Sequence, residues 1–199
     1  MIVHSCTTEG AMRDGSETKE KISRTALRLF VEKGVAETSI RDIATAAGIS
    51  QGAMYNHYTS KDELAWDLFS SNFSELGHEL RRRSQEQTTL EGKLRAMVRY
   101  VFEMFDRDWL LVSFVFQARH SQLRRVHRRL GNPYLVFRTV IAEAMRHGEI
   151  PRRDPEVATS LVTGAIIQMI DSRILGRLKG ALSQVADEAA MACVRLLKA

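Results

Sequence analysis

Apolar side chains in this chain return every three or four positions from about Glu17 onward and never settle into alternation by twos. Ile22, Ala26, Leu29 and Phe30 mark one face of a first helix that runs from about Glu17 to Lys33 and ends at Gly34. Two very short helical patterns follow. A fourth helix opens at Ser60-Lys61-Asp62-Glu63, a capping-box pattern, and carries the stripe Leu64, Leu68, Phe69, Phe73, Leu76 and Leu80 toward Arg81-Arg82-Arg83. A fifth starts at Thr88-Thr89-Leu90-Glu91, a second capping-box pattern, and repeats Leu94, Met97, Val98, Val101, Phe102 and Phe105. A sixth spans roughly 107 to 122, with Trp109, Phe114 and Phe116. Asn132-Pro133 and Asp154-Pro155 each put an N-cap before a proline, so a seventh helix runs to Gly148 and an eighth to about Leu178. A ninth occupies about 182 to 198. No hairpin dipeptide sits between apolar runs. The pattern predicts an all-α chain of about nine helices without internal repeats.

The short helices between 39 and 58 carry the most specific chemistry. Ser39 is suited to cap the first, with Asp42 three positions on as its partner. Ile43, Ala44 and Ala47 share an inner face. Gly48 follows where the chain must turn sharply, at a position that calls for φ > 0. Ile49 plugs the angle, Ser50 caps the next helix, and Met54 is that helix's one clear buried anchor. The second helix is unusual as a structural element. Gly52 costs it about 1 kcal/mol relative to alanine, and Ser50, Gln51, Tyr55, Asn56 and His57 stand where Lys/Glu pairs are usual. A short helix of this kind after a glycine turn is what a helix-turn-helix places in the major groove of DNA.

The flanks extend this pattern. Tyr55-Asn56-His57-Tyr58, an aromatic-x-His-aromatic run, leads into Lys61-Asp62-Glu63-Leu64, and Gly34 precedes Thr38-Ser39-Ile40-Arg41-Asp42-Ile43-Ala44. Together with Ile22, Ala26, Leu29 and Phe30, this ordered set over about residues 18 to 68 resembles the DNA-binding domain of the TetR (tetracycline-repressor-like) family. The resemblance implies a helix-turn-helix DNA-binding domain over 17–63 and a C-terminal ligand-binding and dimerisation domain over 64–199. It implies that Gln51, Gly52 and Ala53 face base edges with Arg41 in reach, and that Ser39, Tyr55, His57 and Lys61 hold the DNA backbone. Ser50 and Asn56 complete the expected DNA-binding set. The implied partners are double-stranded operator DNA, a second copy of the chain and a small ligand.

Charge alters this picture only slightly. The formal net charge is +5, but 17–63 holds seven basic and seven acidic side chains and is neutral. The excess lies in 119–153, where nine arginines face Glu143 and Glu149, a balance of +7. Bulk charge is therefore no argument for DNA binding, although hydroxyls and backbone N–H groups also contact phosphate. The arginine-rich segment reads as a solvated face, or as a site for an acidic ligand or a second nucleic-acid contact. Residues 1–16 lack periodicity and read as a flexible tail. Cys6 and Cys193 stand far apart and suggest no disulfide framework or metal site, which fits a reducing cytoplasm. Ile2-Val3 is too short for a signal peptide, and the apolar run 161–170 is too short to span a bilayer. His120 and His127 are a poor metal pair, and no nucleophile–base set or phosphate loop stands out, so neither cofactor nor enzymatic activity is expected.

The eighth helix is apolar nearly all round, which requires cover on more than one face. Ala158, Val162, Ile166, Met169 and Ile170 suit its own domain, while Val157, Leu161, Gly164, Ala165 and Gln168 suit a second copy. With Ala189, Ala192, Cys193 and Leu196 of the ninth helix, Leu161, Gly164, Ala165 and Gln168 form the expected four-helix dimer interface. Phe102, Phe105, Trp109, Phe116, Phe137 and Ile141 offer walls for a chamber that takes an apolar or aromatic ligand, with Gln117, His120 and Gln168 as polar groups. The expectation is a homodimeric, cytoplasmic repressor released by a small molecule. The alternatives are a DNA-bound protein that acts through a partner protein, and, far behind, an enzyme.

Overall fold

The structure is a computed structural model that describes residues 8–122, 125 and 131–199, without the side chains of 8–15 and His120. Residues 1–7 of the expected tail, Cys6, His127 and Arg124, Arg128 and Arg129 of the basic segment lie outside the described residues. The described residues form nine α-helices and no strand: α1 Thr8–Lys33, α2 Ile40–Ala47, α3 Gln51–Tyr55, α4 Lys61–Gln85, α5 Leu90–Arg107, α6 Trp109–Gln122, α7 Pro133–Arg146, α8 Pro155–Ile174 and α9 Ala186–Lys198. The chain divides into two compact units, 1–69 and 70–199, with the division inside α4.

In the first unit, Ile22, Ala26 and Phe30 of α1 are buried with Ile43 and Ala44 of α2, Met54 of α3, and Leu64 and Ala65 of α4. The Thr38 hydroxyl donates to the Gly34 carbonyl at 2.8 Å and closes the loop between α1 and α2. One correction concerns the start of α1, which lies at Thr8 rather than Glu17. Ala11, Met12 and Arg13 are good helix formers, and adding turns to a nucleated helix costs little. A second concerns the cap of α4. Ser60 Oγ accepts from Glu63 N at 3.1 Å, but Glu63 reaches back to Thr59, whose N–H and hydroxyl both donate to Oε2. Those hydrogen bonds, the hydroxyl's first, hold the Glu63 carboxyl below its ordinary value.

In the second unit, α5 is central and contacts α6, α7, α8 and α9; α7 also packs on α8. Its cap is Thr89, whose Oγ accepts from Gly92 N at 3.1 Å, one position later than the Thr88–Glu91 pattern suggested. Asn132 and Asp154 cap α7 and α8 before their prolines, and accept from Tyr134 N and Glu156 N. α8 stops at Ile174, short of Leu178, because the Arg177 and Leu178 N–H groups turn back to the Ser172 carbonyl. A 3-10 turn at Leu182–Val185 precedes α9. Asp106 at the end of α5 secures that turn by accepting from Leu182 N at 2.9 Å and Ser183 N at 2.8 Å. Burial opposes the Asp106 charge, but the hydrogen bonds from Ser183 and Leu182 outweigh it and lower its pKa.

Candidate nucleic-acid interface and ligand cavity

The glycine turn between α2 and α3 has the geometry that its sequence requires. Gly48 takes φ 63° and ψ 38°, a left-handed conformation that only glycine adopts without strain. Ser39 and Asp42 complete a reciprocal cap: Asp42 N donates to Ser39 Oγ at 3.1 Å, and Ser39 N donates to Asp42 Oδ2 at 2.9 Å. The Ser39 hydroxyl and then its N–H hold the Asp42 carboxyl below its ordinary value. Ser50 caps α3 by accepting from Ala53 N at 3.1 Å. Met54 is the one fully buried side chain of this helix.

The expected DNA-binding residues lie between the start of α2 and the start of α4. Arg41, Gln51, Gly52, Tyr55 and Asn56 are exposed, as are Ser39 and Ser50, while Ala53, His57 and Lys61 are half-buried. Tyr55 is 53% exposed, a large fraction for an aromatic ring. A Cβ built at Gly52 meets only Ser50 Oγ, at 3.9 Å, so nothing in the fold requires a glycine there. Two of the expected backbone contacts are partly committed elsewhere. Lys61 Nζ donates to the Ala36 carbonyl at 2.8 Å, which leaves two ammonium protons free. The Ser39 hydroxyl proton goes to Asp42 Oδ2 at 2.7 Å, and a phosphate, which only accepts, can take it only by breaking that bond.

The outer side of α8 carries an apolar stripe. Val157 is 54% and Leu161 45% exposed; Gly164, Ala165 and Gln168 are exposed beside them. Ala158, Val162, Ile166 and Ile170 turn into the core, as their spacing predicts. In α9 the structure corrects the sequence reading. Ala192 and Leu196 are exposed, but Ala189 and Cys193 are buried in the unit's own core. Burial pushes the Cys193 thiol up. In a helix flanked by core on one side, positions 189 and 193 share a stripe with 186, 190, 194 and 197, and 192 and 196 lie across from it.

A cavity of about 280 Å³ opens among α4, α5, α6, α7 and α8 in the second unit. Of the expected ligand residues, Phe116 and Phe137 line it. Phe102, Phe105 and Ile141 are instead packed solid in the core, and Trp109 is 53% exposed at the start of α6. Gln117 and Gln168 line a separate hollow with Ser113, Asp171 and Arg177. His120 has no described side chain. Phe73, Leu76 and Leu80 of α4, which periodicity marks only as a packing stripe, also line the cavity, as does Arg119 of the basic segment, for which a solvated face and a site for an acidic ligand were both open. Asn132, Tyr134 and Thr163 were missed; they add polar atoms to the cavity wall and carried no distinguishing signal.

Among the described residues no group of His, Cys, Asp and Glu could hold a metal ion, and no helix is long and apolar enough to cross a membrane. Residues 22–67 match the family profile described as bacterial regulatory proteins, tetR family. The HTH-type transcriptional regulator AcrR of Shigella flexneri is 36% identical over 110 residues, which make up 52% of this chain and 50% of that one. The chain thus spans about half the length, or less, of AcrR and of the ArpR and TtgR regulators of Pseudomonas putida that it also matches. The FadR regulator of Bacillus subtilis, solved in complex with stearoyl-CoA, aligns with a TM-score of 0.69 at 19% identity over 88% of this chain and 97% of that one. AibR, solved in complex with isovaleryl coenzyme A and operator DNA, aligns with a TM-score of 0.67 at 20% identity over 91% of this chain and 98% of that one. At such identities the likeness is one of fold.

Proposed function

We propose that this chain, which belongs to the tetR family of bacterial regulatory proteins, is a homodimeric, sequence-specific DNA-binding repressor released by a small ligand. The observation that carries this reading is the surface of α3. A helix of five residues has one buried side chain, an exposed Gln51 and Tyr55, and a glycine that no internal contact demands. Its sequence serves something outside the unit, and a major groove fits its size and chemistry.

The exposed apolar stripe of α8, together with the exposed Ala192 and Leu196 of α9, supports dimerisation. Operator half-sites one helical turn, about 34–36 Å, apart call for two copies of α3, and a dimer supplies them. The cavity of the second unit supports the ligand, as do the coenzyme A thioesters held by the two solved proteins of like fold. Release is a population shift: the ligand binds the conformer whose α3 spacing misfits the operator better than the one that fits. Such a regulator works beside the chromosome, in the cytoplasm.

The test begins with selection of binding sites from random DNA. A two-fold symmetric site should emerge. Gln51→Ala should relax one base pair in each half-site, since a bidentate amide–adenine pair discriminates by about 1–3 kcal/mol. An unchanged motif would remove Gln51 from the readers, and failure to select any site would remove the function. A dimer that binds its operator but responds to no ligand would favour action through a partner protein.

A further inference from the structure

Two hollows of the second unit share a wall, and the wall is Phe116 and Arg119 of α6. On one side lies the cavity of about 280 Å³, with hydrocarbon from Leu76, Leu80, Val101, Phe137 and Ile166. On the other lies a more polar hollow of about 530 Å³, bordered by Ser113, Gln117, Gln168, Asp171 and Arg177.

Three features of the polar side lack an internal purpose. Ser113 is fully buried, yet its Oγ has no hydrogen-bond partner among the described residues. Buried hydroxyls are normally satisfied, so one that borders a hollow and has no protein partner points to a partner from outside. Arg119 is half-buried. It donates one guanidinium bond to the Phe116 carbonyl at 2.9 Å and lies 5.8 Å from the Phe116 ring centre. No carboxylate pairs with Arg119 or Arg177 among the described residues, and most of the five N–H donors of Arg119 are uncommitted. A planar guanidinium fork of this kind matches the oxygens of a carboxylate or phosphate.

We propose that the two hollows are one site for an amphipathic anion. Its apolar tail fills the cavity, and its anionic head crosses the wall at Arg119, where the Ser113 hydroxyl and Arg177 complete the cradle. Among the described residues Asp171 is the one acidic group that borders the polar hollow, and its repulsion favours a head held at Arg119. The inference rests on the reading of the second unit as ligand-binding and adds the charge and polarity of the ligand to it.

The experiment is calorimetric titration of the full chain with hexanoate, decanoate and palmitate, with decanoyl-CoA and with 1-decanol, all at one salt concentration. Decanoate and decanoyl-CoA separate a free carboxylate from an acyl chain that ends in phosphates. At least one of these anions should bind roughly tenfold or more tightly than 1-decanol, the difference expected of a charge-assisted hydrogen bond. Arg119→Gln should remove that preference, so that anions and 1-decanol bind the variant alike, while Arg119→Lys, which keeps the charge, should retain part of it. Ser113→Ala should weaken the anion severalfold without lowering the protein's thermal unfolding midpoint, since the buried hydroxyl it removes has no partner in the free protein. Equal affinity for alcohol and anions, or a preference that survives Arg119→Gln in a folded variant, would overturn the anionic head. In that case 1-decanol should still weaken operator binding, and the ligand-release reading stands. If none of the series binds, the inference fails; if decanoyl-CoA binds with the stated preference yet leaves operator affinity unchanged, the release reading fails and the inference stands.

Discussion

Replacement of Gly52 with alanine separates what the fold needs from what DNA needs. Gly52 lies in α3, is exposed, and has no left-handed φ. A Cβ there would meet only Ser50 Oγ at 3.9 Å, an ordinary contact. Alanine is favoured over glycine in helices by about 0.8–1.0 kcal/mol, and the gain near the start of a short helix is at most of that size. In a unit of 60–100 residues, about 1 kcal/mol raises the unfolding midpoint by roughly 4–8 °C. Calorimetry of Gly52→Ala should therefore show the first unit's transition rise by a few degrees. Binding should move the other way. If the backbone at 52 approaches base edges, an added methyl overpacks that contact at a cost of about 1–3 kcal/mol, roughly five- to 150-fold in affinity per half-site. Anisotropy titration on selected operator DNA at one fixed salt concentration reads this directly. A Gly52→Ala protein that is more stable and binds as tightly as before would remove α3 from close contact with the bases. A destabilised variant would show instead that the glycine serves the fold, against the contact geometry.

Further perturbations test other parts of the molecule. Ala165 is exposed in the single chain, so Ala165→Arg should fold, but it would bury an unpaired charge in an α8–α8 contact; sedimentation should show monomer and operator affinity should collapse, whereas an intact dimer would put the interface elsewhere. A Cβ at Gly77 would lie 2.2 Å from the Gly131 carbonyl oxygen, so Gly77→Ala should lose about 1–3 kcal/mol or more by urea unfolding, and a variant as stable as the parent would disprove that close approach. Asp42 and Glu63 have folded pKa values below their ordinary 3.8 and 4.5, because Ser39 and Thr59 donate to them. Their contribution to stability is thus present above those values and is lost as the pH falls through the lowered folded ones. Unfolding midpoints of the first unit should fall on acidification over that range, and Asp42→Asn with Glu63→Gln should flatten the dependence.

What could be read from the chain alone is what a few neighbouring residues decide. Ser39 with Asp42, Ser50 before Ala53, Gly48 at the turn, and the Asn132-Pro133 and Asp154-Pro155 starts all act within one helical turn, so their partners are set by spacing. The two-sidedness of α8 was legible for the same reason, because burial of Ala158, Val162, Ile166 and Ile170 follows from a repeat of 3.6 residues. The exposed polar face of α3 needed no more than that. Where a cap involves choice among neighbours, as with Thr88 and Thr89 or with Glu63 and its two upstream N–H groups, local pattern was off by one position. The cavity was not legible. Phe102, Phe105, Phe116 and Phe137 look alike as apolar positions on helices, and only the separation of α4, α6, α7 and α8 decides that the first two fill the core while the last two border a space. The roles of Arg119 and Ser113 depend on the same separation: a charge that periodicity assigns to solvent and a hydroxyl that it assigns to the core meet at one wall because of how α6 is rotated against its neighbours. Local hydrogen bonds and helical period belong to the sequence, but empty volume exists only between elements, and tertiary packing alone determines it.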